Sequence, residues 1–171
     1  MNFMSFPENF VIINGLVAQE GAGAGLTSIP ISLKNVEKLW VVCSVNTAAT
    51  SGAEAIVPQT DDLVAFGTAA ALPATLHTLP IWVQLDAGTT DVITRQTDAV
   101  NYTTLANANH KLVIFEVDPS LIRTTATAAT SEDCFRISFT SVAADDYVSV
   151  IYIIQPRFAS KASNQPSYII D

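Results

Sequence analysis

Apolar residues along this chain mostly recur every second position, in short runs separated by turn-forming residues. No long stretch carries the 3.6-residue period of a packed helix. In Lys38–Asn46, Leu39, Val41, Cys43 and Val45 share one face of an expected strand, and Trp40 and Val42 share the other. In His110–Val117, Leu112, Ile114 and Glu116 alternate with Val113, Phe115 and Val117. Asp133–Ser141 alternates most cleanly, with Phe135, Ile137 and Phe139 inward and Cys134, Arg136, Ser138 and Thr140 on the other side. Tyr147–Gln155 sets Val148, Val150, Tyr152 and Ile154 against Tyr147, Ser149, Ile151 and Ile153, so both of its faces are apolar.

Further strands are expected at Phe10–Ile13, Ile29–Leu33, Asp62–Thr68, Leu79–Leu85 and Asp91–Gln96, with Pro30 marking a strand start or an edge. Thr47–Ala55 reads as a loop. Asp118 and Pro119 suit the cap and first position of a helical turn through Ile122. Many short strands broken by turn signals predict an all-β fold, an antiparallel β-sandwich or a jelly-roll-like barrel. Glu20–Gly25 reads as a hinge. The expected organisation is an N-terminal arm and glycine hinge over 1–25, a β-sandwich body over 26–158 and a C-terminal arm over 159–171.

Composition sharpens the picture in one respect. The 171 residues are 49% hydrophobic and only 14% charged, whereas soluble domains carry about 25% charged residues. That balance excludes disorder. A surface so poor in charge is one that other protein covers. Sixteen acids against eight bases give a net charge of −8, which argues against nucleic acid, because phosphate contacts need clustered Lys and Arg. Phe10–Ile13 is too short for a signal or membrane segment, so no membrane partner is expected and synthesis in a cytoplasm fits. Cys43 and Cys134 sit in apolar strand-like runs and read as buried thiols, with a bridge left open.

Candidate chemistry adds little. His77 and His110, the only histidines, have no Cys or carboxylate at metal-ligand spacing. Gly21–Gly25 lacks the spacing of a phosphate loop. No Gly-x-Ser-x-Gly elbow supports a triad. Asp61-Asp62 and Asp145-Asp146 read as solubilising turn carboxylates. No catalytic residue, metal or cofactor is therefore expected. Trp40 and Trp82 read as core or interface anchors, with a sugar-stacking platform as the alternative.

The segments Asp98–Thr103, Lys111–Pro119, Asp133–Ile137, Tyr147–Ile154 and Pro156-Arg157-Phe158 resemble those of small virion structural proteins of tailed bacteriophages, the decoration or cement proteins of capsids. The resemblance covers roughly half of the chain and carries no functional residues. It implies a non-enzymatic, homo-oligomeric subunit, dimeric or trimeric, on the capsid exterior, with the major capsid protein and copies of itself as partners. A head–tail connector or tail subunit is the alternative within virions, and a carbohydrate-binding β-sandwich the alternative outside them. The expected contact residues lie in the arms: Phe3, Phe6, Phe10, Ile12, Arg157, Phe158, Tyr168, Ile169 and Ile170.

Overall fold

Residues 6–48, 52–62, 64–67, 70–72, 78–106, 109–123, 133–157 and 168–169 are described in a computed structural model. Two sheets, antiparallel at every strand pairing, pack face to face as a sandwich and do not close into a barrel. The first sheet contains β1 (Val11–Glu20), β4 (Val36–Asn46), β7 (Ile81–Gln84), β8 (Thr94–Arg95), β10 (His110–Val117) and β12 (Tyr147–Pro156). Its strand order is β1-β12-β4-β10-β7-β8. The second sheet runs β2 (Ala24–Thr27), β11 (Cys134–Val142), β5 (Ala55–Asp61) and β6 (Ala70–Ala71). In addition, β3 (Ile31–Ser32) pairs with β11 and β9 (Tyr102–Thr103) pairs with β5. Two short helices, α1 (Phe6–Asn9) and α2 (Pro119–Arg123), complete the described elements.

Alternation places the core where the pattern predicts it. Leu39, Val41, Cys43 and Val45 of β4 are fully buried, as are Val113, Phe115 and Val117 of β10. They meet Phe135, Ile137 and Phe139 of β11 across the sandwich interior. The two cysteines belong to different sheets and are buried, with no disulfide between them. Burial pushes the Cys43 thiol far above its usual range, because its anion would have no solvent.

Three elements differ from expectation. Asp62–Thr68 is not a strand: its described residues form a turn, with Phe66 in the left-handed region at φ 50°. The strand lies just before it, at Ala55–Asp61, where Pro58 and small flanking residues obscure the alternation. The stretch read as arm and hinge is built into both sheets, as β1 and β2. Gly21 there is a close-approach residue, since a Cβ on it would sit 2.3 Å from the Val142 carbonyl oxygen.

The aspartate pairs differ as well. Asp61 and Asp146 are buried rather than solubilising. Asp61 Oδ1 accepts a hydrogen bond from the Asp62 amide at 2.7 Å, and Asp146 Oδ1 accepts one from the Ala48 amide at 2.7 Å. Asp61 thus holds the chain as it leaves β5, whereas Asp146 ties the end of β4 to the connection between β11 and β12.

Candidate interaction surface

The outward faces of the two sheets are built differently. On the second sheet, Gln59 and Arg136 lie opposite each other, and Arg136 Nε donates to Gln59 Oε1 at 2.8 Å. The Arg136 guanidinium also lies 4.3 Å from the Phe66 ring centre, so the turn after β5 folds against this side. Ser138 and Thr140 continue the polar pattern along β11.

The first sheet presents the opposite chemistry. One cross-strand row runs through all six strands: Asn14, Ile151, Val42, Ile114, Trp82 and Arg95. The next row is Ile12, Ile153, Trp40 and Glu116. Ile151 is 40% exposed and Ile12 53%, although both sit on strands that bury their other side. An antiparallel sheet with one solvated face ordinarily carries polar residues there. An apolar row across the four strands β12, β4, β10 and β7, closed at its ends by Asn14 and Arg95, marks a surface for contact.

Aromatic groups extend this face at one edge. Helix α1 stacks Phe6 on Phe10 at 4.8 Å, and Phe10 meets Trp40 edge-on at 5.9 Å. Each tryptophan carries a cation: Lys38 Nζ lies 5.6 Å from the Trp40 ring centre and the Arg95 guanidinium 4.7 Å from that of Trp82. Both cations are also paired within the chain, Lys38 with Glu116 and Arg95 with Asp98. Trp40, Trp82, Ile93, Ile114 and Glu116 surround a shallow depression of about 340 Å³. Beyond the apolar rows the surface turns polar. There Ser44 Oγ lies 2.6 Å from His110 Nε2, and Asn46, Tyr147 and Ser149 line the same small hollow.

A polar cluster is buried at the end of the sandwich where β4 and β10 meet. Lys111 Nζ donates to Thr47 Oγ1 at 2.7 Å and to the Asn109 carbonyl at 3.0 Å. Burial lowers its pKa, while the Asp146 and Asp86 charges oppose that shift. Glu54 is held by a reciprocal pair with Thr104, each through its amide, at 2.9 Å. Burial raises the Glu54 pKa, its hydrogen bond from Ala143 pulls the other way, and the neighbouring Asp146 raises it further. Among the described residues no group of three or more His, Cys, Asp or Glu side chains converges in the manner of a metal site.

The expected contact residues that are described divide into three groups. Phe6, Phe10 and Ile12 come together on or beside the apolar face of the first sheet. Arg157 lies apart, with Nε 3.3 Å from Glu37 Oε2 and its amide donating to the Asn35 carbonyl. Tyr168 is buried in this chain's own core at 2% exposure, with its carbonyl accepting from the Ser32 amide at 2.7 Å, so it offers no surface to a neighbour; Ile169 beside it is exposed. Phe3, Phe158, Ile170 and also His77 lie outside the described residues. Val42, Ile114 and Ile151 join Trp82, which the sequence already offers as a core or interface anchor. Their signal is the second apolar face of the central strands, which suits packing against further copies but does not by itself name the residues that share one surface.

No protein-family model and no curated protein matches the sequence. Solved structures are similar at a low level. A protein derived from the SPBc2 prophage, YomS, shares 12% identity at a TM-score of 0.39, over 85% of this chain and 91% of its own. A pentameric capsid protein from metagenomic phage sequences shares 14% at a TM-score of 0.25, over 92% of this chain and 68% of its own. The infectious bursal disease virus Gt strain structure shares 11% at 0.24, over 92% of this chain and 42% of the viral one.

Proposed function

We propose that this chain is a non-enzymatic structural subunit of a tailed-bacteriophage virion, attached to the capsid exterior as a cement or decoration protein. The observation that carries the reading is the outward row Ile151, Val42, Ile114 and Trp82, set against the polar outer face of the second sheet. A shell component needs extended flat area more than a deep pocket, and the apolar rows supply it. The low charge and the resemblance of the central and C-terminal strands to virion proteins support the same reading. Binding to the assembled shell and not to its dissociated subunits would stabilise the shell by mass action. The major capsid protein is the expected partner, and a connector or tail subunit is the alternative position.

Mass spectrometry and antibody-labelled electron microscopy of particles from the encoding phage test this. The expected result is many copies per particle, with label over the head. Absence from purified particles overturns the virion reading. Label confined to the neck or tail moves the subunit to the alternative position.

A second reading is favoured by one observation, the two tryptophans around one shallow depression. Aromatic rings beside a carboxylate suit a sugar face. Binding on a glycan array that Trp82→Ala abolishes would establish it. No binding by the intact protein removes it.

A further inference from the structure

We infer that the apolar face of the first sheet receives a second copy of this chain, packed sheet to sheet about a two-fold axis parallel to the strands between β4 and β10. The inference rests on reading that face as a protein contact surface. Charge is the first reason. The whole chain carries −8, so two copies repel when they approach at random. On this face, however, Lys38 is matched by Glu116 and Arg95 by Asp98. The face is the part of the surface that a like-charged copy can approach without that penalty.

Area is the second reason. Six strands at about 4.8 Å spacing span roughly 29 Å, and the strand length from Lys38 to Ser44 is about 20 Å. Only β1, β12, β4 and β10 run that length, β7 and β8 being four and two residues long. The face therefore presents roughly 500 Å² per copy, or about 1,000 Å² in all, the size a specific pair should clear. The residues of α1 add to this at the edge.

The order of the strands selects the axis. The middle of β1-β12-β4-β10-β7-β8 falls between β4 and β10. A two-fold axis along the strands there keeps each cross-strand row at its own level. It places Val42 on Ile114 of the other copy, Ile151 on Trp82 and Asn14 on Arg95. An in-plane axis across the strands through Val42 would instead put Trp40 on Ser44, an aromatic ring against a hydroxyl already bonded to His110. In either arrangement the Val42 row meets apolar groups; the first sets Trp40 over Glu116 of the other copy, a carboxylate already paired with Lys38, rather than over Ser44.

Sedimentation of the full chain over a concentration series is the test, with Ile114→Glu and Ile151→Glu as variants. Circular dichroism confirms that each variant folds; Ile151 is exposed enough to tolerate the change. The expected species is twice 18.2 kDa for the parent protein, with dimerisation weakened at least tenfold in both variants. Gln59→Glu on the opposite sheet leaves the dimer intact. A parent protein that stays at 18.2 kDa at every concentration overturns the inference, as do folded variants that keep the parent's mass. For the axis, mixed Val42→Cys and Ile114→Cys proteins crosslink on mild oxidation. Crosslinking of Trp40→Cys with Ser44→Cys copies instead overturns the axis. A monomer that is nevertheless incorporated into particles removes the dimer and leaves the virion reading standing. A dimer missing from particles does the reverse.

Discussion

The ring of Tyr152 lies against Gly15, so closely that a Cβ on Gly15 would stand 2.4 Å from Tyr152 Cε2. Gly15 sits in β1 at the register shift between Asn14 and Leu16, and Tyr152 belongs to the neighbouring strand β12. The missing side chain leaves room for the ring to turn inward to the second sheet. There Tyr152 Oη lies 2.5 Å from Ser28 Oγ and donates to the Ile29 carbonyl at 3.2 Å, while Ser28 Oγ accepts from the Ile137 amide at 2.8 Å. One phenol thereby ties β12 to the segment that pairs with β11. Burial raises its pKa well above the ordinary tyrosine range, so it stays a neutral donor.

Gly15→Ala therefore forces the ring to move and destabilises the fold by about 1–3 kcal/mol. Tyr152→Phe keeps the ring and removes the donor, leaving buried acceptors without it, at a cost of about 1–3 kcal/mol. Urea unfolding of both variants and of the double variant checks this. Because the two residues touch, the double variant departs from additivity. An unchanged midpoint for Gly15→Ala would remove the steric account.

Glu54 gives the stability a pH dependence of defined sign. Its carboxyl is 2% exposed, and burial and then Asp146 raise its pKa above the ordinary 4.5. The folded state thus holds the proton more tightly than the unfolded state. Its contribution is complete below pH 4.5 and is lost as the pH rises from there through the raised folded value. Glu54→Gln removes that loss, so it gains stability over the parent as the pH approaches neutrality and shows a flatter profile. Thermal unfolding across the pH range measures both curves; parallel curves would show that Glu54 titrates alike in the two states.

The C-terminal tip contributes to the fold of its own chain. Tyr168 packs with the core cluster, and its carbonyl completes a hydrogen bond from Ser32 in β3. Tyr168→Ala opens a cavity beside β3 and costs about 3–5 kcal/mol, the range for large aromatic truncations. Denaturant titration of this variant, together with sedimentation, separates loss of fold from loss of association. A variant of parental stability would place the tip outside the core.

Much of the sandwich was legible because alternation is a local property. His110–Val117 has the same limits in sequence and structure, and the inward set Phe135, Ile137 and Phe139 follows from period two alone. Strand β5 was not legible: Pro58 interrupts its run, and its neighbours are small or polar. Its buried positions Ile56, Pro58 and Thr60 become strand positions only through pairing with β11. The N-terminal glycine-rich stretch was not legible for a similar reason. A glycine-rich stretch looks like a hinge until a close neighbour is known, and Gly21 is required by the carbonyl of Val142, far away in the chain.

The contact surface divides along the same line. Composition determined that this chain has too little charge for an ordinary solvated surface, and periodicity determined that its central strands are apolar on both sides. Which second faces form one surface depends on strand order, and that order pairs segments distant in sequence. Only the tertiary structure decided that Asn14, Ile151, Val42, Ile114, Trp82 and Arg95 form a single row while Tyr168 is folded away inside. The physical reason is that a side chain's face is set by its own backbone, whereas its neighbours are set by long-range hydrogen bonding between strands.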